Sequence, residues 1–232
     1  MAKLTKKRRE ISSDINFDKV YKLEEALDII KLSSKAKFVE TVEVAINLSL
    51  KTGKSDQSIK GVINLPNGIG KKIRVAVIAK DENAKSAKEL GADIVGDIDL
   101  IKNIENGNID FDRLIATPDM MAQVGKLGQI LGPKGLMPNP KLGTVTNDIV
   151  KAVNDAKKGQ IQFKNDKSGI VQAGIGKVNF EKKQLIENIK AFFDAVVKSK
   201  PEGIKGSFVK RVSIASTMGL GIKVNVADLQ KS

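Results

Sequence analysis

The sequence contains no cysteine and no histidine. Without cysteine there is no disulfide, no thiol nucleophile and no thiolate metal site. Without histidine the commonest general base and the commonest zinc ligand are also missing. These absences argue against most hydrolase and transferase chemistry, so we expect no catalytic residue, no metal site and no cofactor.

Aromatic residues and long apolar runs are also scarce. Eight Phe, one Tyr and no Trp accompany a hydrophobic content of 41%, so the cores must consist mainly of Ile, Val, Leu and Ala. No apolar run approaches the roughly 18 residues that cross a bilayer. The start "MAKLTKKRREISSD" is followed by no apolar segment of signal-peptide length. We therefore expect a globular, cytoplasmic protein that has no membrane partner.

Positive charge is what the sequence has in excess. The net charge is +13, and its distribution is uneven: residues 1–66 hold 13 basic and 9 acidic side chains, 67–159 hold 14 and 12, and 160–232 hold 13 and 6. A protein this basic commonly neutralises phosphates, so a polyanion should bind the two ends and not the middle. The alternative is a lysine-rich composition spread over every surface, since 35 of the 40 basic residues are Lys. That alternative should have made the middle equally basic.

The first 66 residues show one helical and two strand patterns. Apolar residues at helical spacing predict a helix from about Asp18 to Ser33, with Asp18 as its cap. The stretch "TVEVAINLSL" then alternates apolar and polar residues, which predicts a strand with one covered face. A second strand, "KGVINLP", ends at Pro66.

The middle of the chain alternates strand and helix patterns. Near-continuous apolar strands such as "IRVAVIA" and "RLIAT" indicate burial on both faces, which is typical of a parallel sheet. Helices are predicted over "ENAKSAKELG", over "IDLIKNIENG", from Pro118 and over Asp148–Lys158. Residues 67–159 are therefore predicted to form an inserted α/β domain with a small parallel, Rossmann-like sheet.

Alternation of period two returns after Gly159. Two strands flank the turn "NDKSG", in which Gly169 suits a left-handed conformation. An amphipathic helix from about Glu181 to Lys198 and two closing strands around "TMGLG" follow. Because neither chain end has enough strands alone, residues 1–66 and 160–232 are predicted to form one discontinuous α+β domain. We expect an open-faced antiparallel sheet with two helices, into which the α/β domain is inserted.

The segment "GQILGPKGLMPNPKLGT", Gly128–Thr144, is rich in glycine and proline but is not a phosphate-binding loop. A Walker motif fails because Gly132 is followed by proline and Lys134 by glycine. The three prolines predict an extended, rigid surface loop that displays Lys134 and Lys141. Composition leaves open whether this loop binds a partner or only connects two elements.

Four patches place short polar and basic residues at strand ends or turns of the predicted terminal domain: "SKAKFVETVE", "KNDKSG", "GIKGSFVKR" and "ASTMGLG". Such side chains reach phosphates and ribose 2′-hydroxyls, and exposed glycines let an RNA backbone come close. Phe38 either lies against a sugar or base or caps the core. Met218, at the tip of a turn, is more readily understood as a contact than as core.

At these residues the sequence resembles a family of ribosomal proteins, namely the bacterial form of the protein numbered one of the large ribosomal subunit. The similarity covers nearly the whole chain and is carried by "KFVETVEVAINL", "LPNGIGK", "GAD" at 91–93, "ATPDMM", "ILGPKGLMPNPKLGTVT", "FKNDKSGIVQAGIGK", "KPEGIKGSF" and "STMG". The family's build, a central α/β domain inserted into a terminal α+β domain, agrees with the boundaries above. One departure is that "GLG" follows Thr217 and Met218, where many relatives have a proline.

The resemblance implies a structural, non-enzymatic function. Family members bind a helical junction of large-subunit ribosomal RNA and form a mobile lateral stalk at the exit site, where they help discharged tRNA leave. The resemblance also implies a translational repressor that binds its own operon messenger RNA and is a monomer when free of the ribosome. By motif, the RNA-binding positions would be Lys37, Phe38, Glu40, Thr41, Asn165, Asp166, Lys167, Ser168, Gly169, Lys205, Ser207, Ser216, Thr217, Met218 and Gly219.

The leading hypothesis is recognition of RNA shape by the terminal domain. Lysines would supply sequence-independent attraction, while neutral hydroxyl, amide and glycine contacts select the folded RNA. A first rival is a small-molecule enzyme or binding protein that uses the strand ends of the α/β insert. A second rival is a non-specific nucleic-acid packing protein, which should not prefer a junction to a plain duplex.

Overall fold

A computed structural model describes residues 15–16, 18–50, 59–80, 84–85, 87–88, 90–201, 204 and 206–230. The chain divides into two compact units. The terminal unit consists of the two chain ends, up to Gly70 and from Ile161 onward, and the inserted unit is Lys71–Gln160. The sequence placed the end of the first segment at residue 66 and the start of the second at residue 160. The observed boundaries lie four residues and one residue further along the chain, respectively.

The described helices and strands follow one another in this order: α1 (Leu23–Ser33), β1 (Thr41–Leu48), β2 (Lys60–Asn64), β3 (Val75–Ile78), β4 (Ile94–Gly96), α2 (Ile98–Glu105), β5 (Arg113–Ala116), α3 (Met121–Val124), α4 (Gly128–Leu131), α5 (Ile149–Lys157), β6 (Gln160–Lys164), β7 (Ile170–Lys177), α6 (Lys182–Lys198), β8 (Val209–Ser216), β9 (Ile222–Val224) and α7 (Val226–Gln230). Short 3₁₀ turns occur at Pro118–Met120, Gly125–Leu127 and Pro140–Leu142. Within the described ranges, no helix is long and apolar enough to cross a membrane.

The terminal unit is built on a four-stranded antiparallel sheet in the order β7-β1-β8-β9. Strand β1 lies at its centre, and its alternating sequence buries every second side chain, because neighbouring side chains of a strand point to opposite faces. The helices α1 and α6 cover the buried face. The buried side chains of β1 are Val42, Val44, Ile46 and Leu48.

Helix α6 supplies much of the terminal core. It begins with a capping box: the Glu181 side chain accepts the backbone N–H of Gln184, and the Gln184 side chain accepts the backbone N–H of Glu181. Its apolar stripe includes Phe192 and Phe193, which are fully buried. The Phe192 ring meets Phe163 of β6 edge to face, with centroids 5.7 Å apart.

One polar residue, Asn188, lies within this apolar stripe and is fully buried. Its side-chain amide donates to the carbonyls of Gly68 and Ile175, both at 2.9 Å, and its oxygen accepts the Asn67 N–H at 3.1 Å. Asn188 therefore fastens α6 to β7 and to the segment that follows β2.

The inserted unit contains a three-stranded parallel sheet in the order β4-β3-β5. All four residues of β3 are buried, with Ala76 and Ile78 in one core cluster and Val75 and Val77 in another. A mixed architecture with an antiparallel sheet and a separate parallel sheet is therefore confirmed. The helix predicted over residues 82–91 falls partly outside the described residues.

The two ends of the inserted unit are held by two consecutive residues, Asp112 just before β5 and Arg113 at its start. Asp112 accepts a hydrogen bond from Lys71 Nζ at 2.8 Å and from the Arg74 backbone N–H at 3.2 Å. Arg113 donates through one guanidinium nitrogen to the Gln160 carbonyl at 2.9 Å and through another to its side-chain oxygen. An insertion requires ends that lie close together, and these contacts hold them so.

Helix α1 begins five residues later than the sequence indicated. Asp18 and Lys19 lie in a turn, and Tyr21 forms a bridge with Val224 in which its N–H donates to the Lys223 carbonyl at 3.0 Å. Asp18 therefore caps no helix. Val20, an apolar residue at helical spacing from Leu23 and Leu27, is 56% exposed.

The segment Gly128–Thr144 was predicted to be extended, but it is compact. It begins with the turn of helix α4, in which Leu131 is buried, and it ends at the buried Thr144. The Thr144 hydroxyl accepts the Asn139 N–H at 2.8 Å and so closes the loop on itself. Lys134 is exposed as predicted, whereas the side chain of Lys141 lies outside the described residues.

Strands β6 and β7 are joined by the predicted turn but belong to different sheets. Apart from a single bridge between Asn165 and Val171, β6 pairs with β2, and β7 pairs with β1. Gly61 of β2 explains this pairing, because a Cβ there would lie 2.6 Å from the Phe163 ring. The glycine therefore lets β6 approach while Phe163 enters the core.

Candidate nucleic-acid interface

The described residues among those proposed from the sequence lie at or near two opposite ends of the terminal sheet. At one end, which we call the Thr41 end, Thr41 pairs with Lys177 and Val42 pairs with Ser216. At the other, the Leu48 end, Leu48 pairs with Val209 and its N–H donates to Gly169. The eight residues of β1 between them correspond to about 23 Å at 3.3 Å per residue.

At the Thr41 end, the turn after β8 is hydrogen-bonded to the start of β1. The Thr217 hydroxyl accepts the Thr41 N–H at 3.0 Å and lies 3.4 Å from the Thr41 carbonyl, which also accepts the Thr217 N–H at 3.1 Å. Lys177 Nζ donates to the Thr41 hydroxyl at 2.8 Å. Three strand ends are therefore held together beside an exposed Thr217.

Glu40 lies beneath this surface and is only 2% exposed. Its carboxylate accepts the Met218 N–H at 3.0 Å and the Ala36 N–H at 3.2 Å. Burial alone would raise the pKa of Glu40, but hydrogen bonds from the Ser34 hydroxyl and from these two N–H groups outweigh it and lower the pKa. The ionised form therefore stabilises the fold above the ordinary carboxyl range, and this contribution is lost as the pH falls through the lowered pKa.

Three residues near Glu40 have exposed apolar side chains. Two of them precede Glu40 in the sequence, and the third donates its backbone N–H to the Glu40 carboxylate. Phe38 is 55% exposed, Val39 is 54% exposed and Met218 is 72% exposed. This exposure contradicts the interpretation of Phe38 as a cap on the core. Sequence reasoning missed Val39, although its place between Phe38 and an acidic residue at the start of a predicted strand was a usable signal. Exposed apolar side chains at one location commonly mark a binding surface.

The Ser216 hydroxyl occupies the space that a side chain at Gly219 would need. Ser216 is buried, and its hydroxyl lies close enough to the Glu40 carboxylate to help lower the pKa of Glu40. A Cβ at Gly219 would lie 2.3 Å from this oxygen. The turn therefore requires glycine at this position.

We expect Gly219→Ala to lower the free energy of unfolding by about 1–2 kcal/mol, because the added methyl group displaces a buried hydroxyl. Adding Ser216→Ala should recover most of that loss in urea unfolding. Gly221→Ala is the matched control, since a Cβ there has open space. A Gly219→Ala variant of unchanged stability, or one that Ser216→Ala does not rescue, would contradict this account of the turn.

At the Leu48 end, Asp166 organises the turn between β6 and β7. Its carboxylate accepts the N–H groups of Ser168 and Ile170, both at 2.8 Å. Gly169 has a φ of 77°, a left-handed conformation that favours glycine. Asn165 accepts the Ile59 N–H at 2.6 Å. The turn is therefore fixed by its own polar groups and leaves Lys167 and Ser168 exposed.

The remaining proposed residues differ in their exposure. Ser207 is exposed, and its hydroxyl donates to the Val209 carbonyl at 2.9 Å. Lys205 lies outside the described residues. Glu40, Gly169 and Ser216 are buried and are therefore not available for direct contact. The exposed positions are Lys37, Phe38, Asp166, Lys167, Ser168, Ser207, Thr217 and Met218, and the half-buried ones are Thr41, Asn165 and Gly219.

A basic protein whose polar, basic and exposed apolar residues gather at the ends of an antiparallel sheet has the features of an RNA-binding protein. The chain belongs to the Ribosomal protein L1p/L10e family, whose model matches residues 29–220. The family predicted from the sequence motifs is thus confirmed. The chain is therefore a ribosomal protein of the large subunit that binds ribosomal RNA, and its family is one of structural RNA-binding proteins and not of enzymes.

Proposed function

We propose that the terminal unit binds a helical junction of large-subunit ribosomal RNA through both ends of its sheet. The protein then forms the mobile lateral stalk at the exit site and helps discharged tRNA leave. The same surface also binds the protein's own operon messenger RNA and so represses translation. Away from the ribosome the protein is a monomer.

The observation that carries this proposal is the construction of the Thr41 end. Thr217 and Met218 are exposed, yet backbone and side-chain hydrogen bonds hold their turn against β1. Contacts that are fixed before binding need little ordering when the RNA arrives. Neutral hydroxyl and apolar groups of this kind recognise sugars and bases, while nearby lysines such as Lys37 attract phosphates.

The separation of the two ends favours an extended or branched RNA. A partner that touches both the Thr217 turn and the Lys167 turn must reach across roughly 23 Å of sheet. The face between them carries the exposed Gln172 and Arg211 and the half-buried Ser213, which can contact sugars and phosphates along the way. A short hairpin loop would reach only one end, whereas two helical arms of a junction can reach both.

A competition assay at fixed salt tests this proposal. Labelled junction RNA bound to the protein is displaced either by unlabelled junction or by a plain duplex of the same length. We expect the junction to compete about 10³-fold better, as specific complexes commonly do. Equal competition would instead support non-specific packing, and calorimetric binding of a nucleotide to residues 71–160 would favour the small-molecule alternative.

If repression uses the same surface, then a single substitution should affect binding of both RNAs. Because one set of contacts serves both RNAs, Met218→Ala should weaken ribosomal and messenger RNA binding by the same factor. A loss confined to one of the two RNAs would contradict a shared surface.

A further inference from the structure

The buried carboxylate of Glu40 joins segments that are far apart in the sequence. One oxygen accepts the N–H of Ala36 before β1, and the other accepts the N–H of Met218 after β8. The backbone carbonyl of Glu40 accepts the Val178 N–H at 3.0 Å, just after β7. A single residue therefore connects the ends of three neighbouring strands.

We infer that Glu40 is a positioning residue for RNA, which holds the Met218 turn against the segment that carries Phe38 so that these two exposed side chains form one binding surface. The inference rests on the proposed function. It replaces the direct contact implied for Glu40 by the family resemblance, because a side chain 2% exposed cannot reach an RNA.

Because Glu40 is negatively charged, the direction of the change in RNA affinity on removing this charge tests the positioning role. Hydrogen bonds hold the pKa of Glu40 below its ordinary value despite burial, so the group is ionised at neutral pH. A negative charge under a surface that binds a polyanion repels phosphates. Coulomb interaction alone therefore predicts that removing this charge strengthens RNA binding, whereas a positioning role predicts that binding weakens.

The first experiment compares Glu40→Gln with Glu43→Gln, a matched control three residues further along the chain, in β1, whose side chain is exposed. Glutamine has one oxygen and an NH₂ group, so it cannot accept both N–H groups through two oxygens. We expect Glu40→Gln to weaken junction binding about 10- to 100-fold, with the salt dependence unchanged. Glu43→Gln should leave affinity unchanged or raise it slightly. Equal effects of the two variants, or tighter binding by Glu40→Gln, would overturn the inference.

A double-mutant cycle separates positioning from a contact made by residue 40 itself. If Glu40 acts through Met218, then Glu40→Gln should cost little more once Met218 is already alanine, because the positioned side chain is gone. Fully additive losses would show that Glu40 acts independently of Met218 and would overturn the inference.

Amide hydrogen exchange in the free protein supplies a measurement that does not depend on RNA. The Met218 N–H should exchange faster in Glu40→Gln than in the parent protein, because its acceptor is altered, and unchanged exchange would overturn the inference. Faster exchange together with full RNA affinity in both Glu40→Gln and Met218→Ala would instead refute the proposed function itself. If Glu40→Gln fails to fold, Ser34→Ala removes only one hydrogen bond to the carboxylate and should give the same changes at a smaller size.

Discussion

Replacing Asn188 by leucine should lower the free energy of unfolding of the terminal unit by about 3 kcal/mol. Leucine has the same branched arrangement of heavy atoms and is larger than asparagine, so the loss comes from the hydrogen bonds and from overpacking and not from a cavity. The Ile175 and Gly68 carbonyls and the Asn67 N–H each lose the hydrogen bond that they make with the Asn188 side chain. Each unsatisfied buried group costs about 1–3 kcal/mol, less where water can reach it.

The single tyrosine of the sequence makes this loss measurable. Tyr21 is buried in the terminal unit, so its fluorescence reports the urea unfolding of that unit. Asn179→Leu is a suitable control, because Asn179 is an exposed asparagine of the same unit and its replacement should change stability by less than about 0.5 kcal/mol. A loss below about 1 kcal/mol for Asn188→Leu would show that its hydrogen bonds do not stabilise the sheet as described.

Met218→Ala should weaken binding of the junction RNA by about 1–3 kcal/mol without changing stability or the salt dependence of binding. The side chain is 72% exposed, so truncating it removes no core packing. An apolar contact with a sugar or base releases no counterions, so the slope of log affinity against log salt should stay the same. The measurement is a titration of the RNA at several salt concentrations.

Lys167→Ala provides the contrasting variant at the other end of the sheet. Its exposed ammonium group can neutralise a phosphate, so its removal should flatten the salt slope by roughly one unit or less. If both variants lost affinity equally and with the same change in slope, then shape recognition at the Thr41 end would be wrong.

Much of the architecture could be predicted because it depends on local patterns. Strand β1 alternates strictly, β3 is continuously apolar, and the capping box places the start of α6 at Glu181. The predicted start of α1 was wrong, because a long-range bridge between Tyr21 and Val224 overrides the helical spacing of the apolar residues. No local pattern contains such a contact between the two ends of the chain.

The candidate site was predictable in residue type but not in arrangement. Motifs placed Thr217 and Lys167 in one set, whereas the register of β1 separates them to opposite ends of the sheet. Burial of Glu40 and Asn188 could not be predicted, because it depends on partners far away in the sequence, Met218 for Glu40 and Gly68 for Asn188. Polar residues in the interior are stabilised by tertiary hydrogen bonds, which leave no periodic signal.

The most direct test removes residues 71–160 and joins Gly70 to Ile161 through a short glycine–serine linker. Folding of the shortened protein is checked by circular dichroism and by Tyr21 fluorescence, and its affinity for the junction RNA is compared with that of the full chain. We predict affinities that agree within a few-fold, and no junction binding by residues 71–160 alone. Loss of binding by a folded terminal unit, together with junction binding by the inserted unit, would contradict the account.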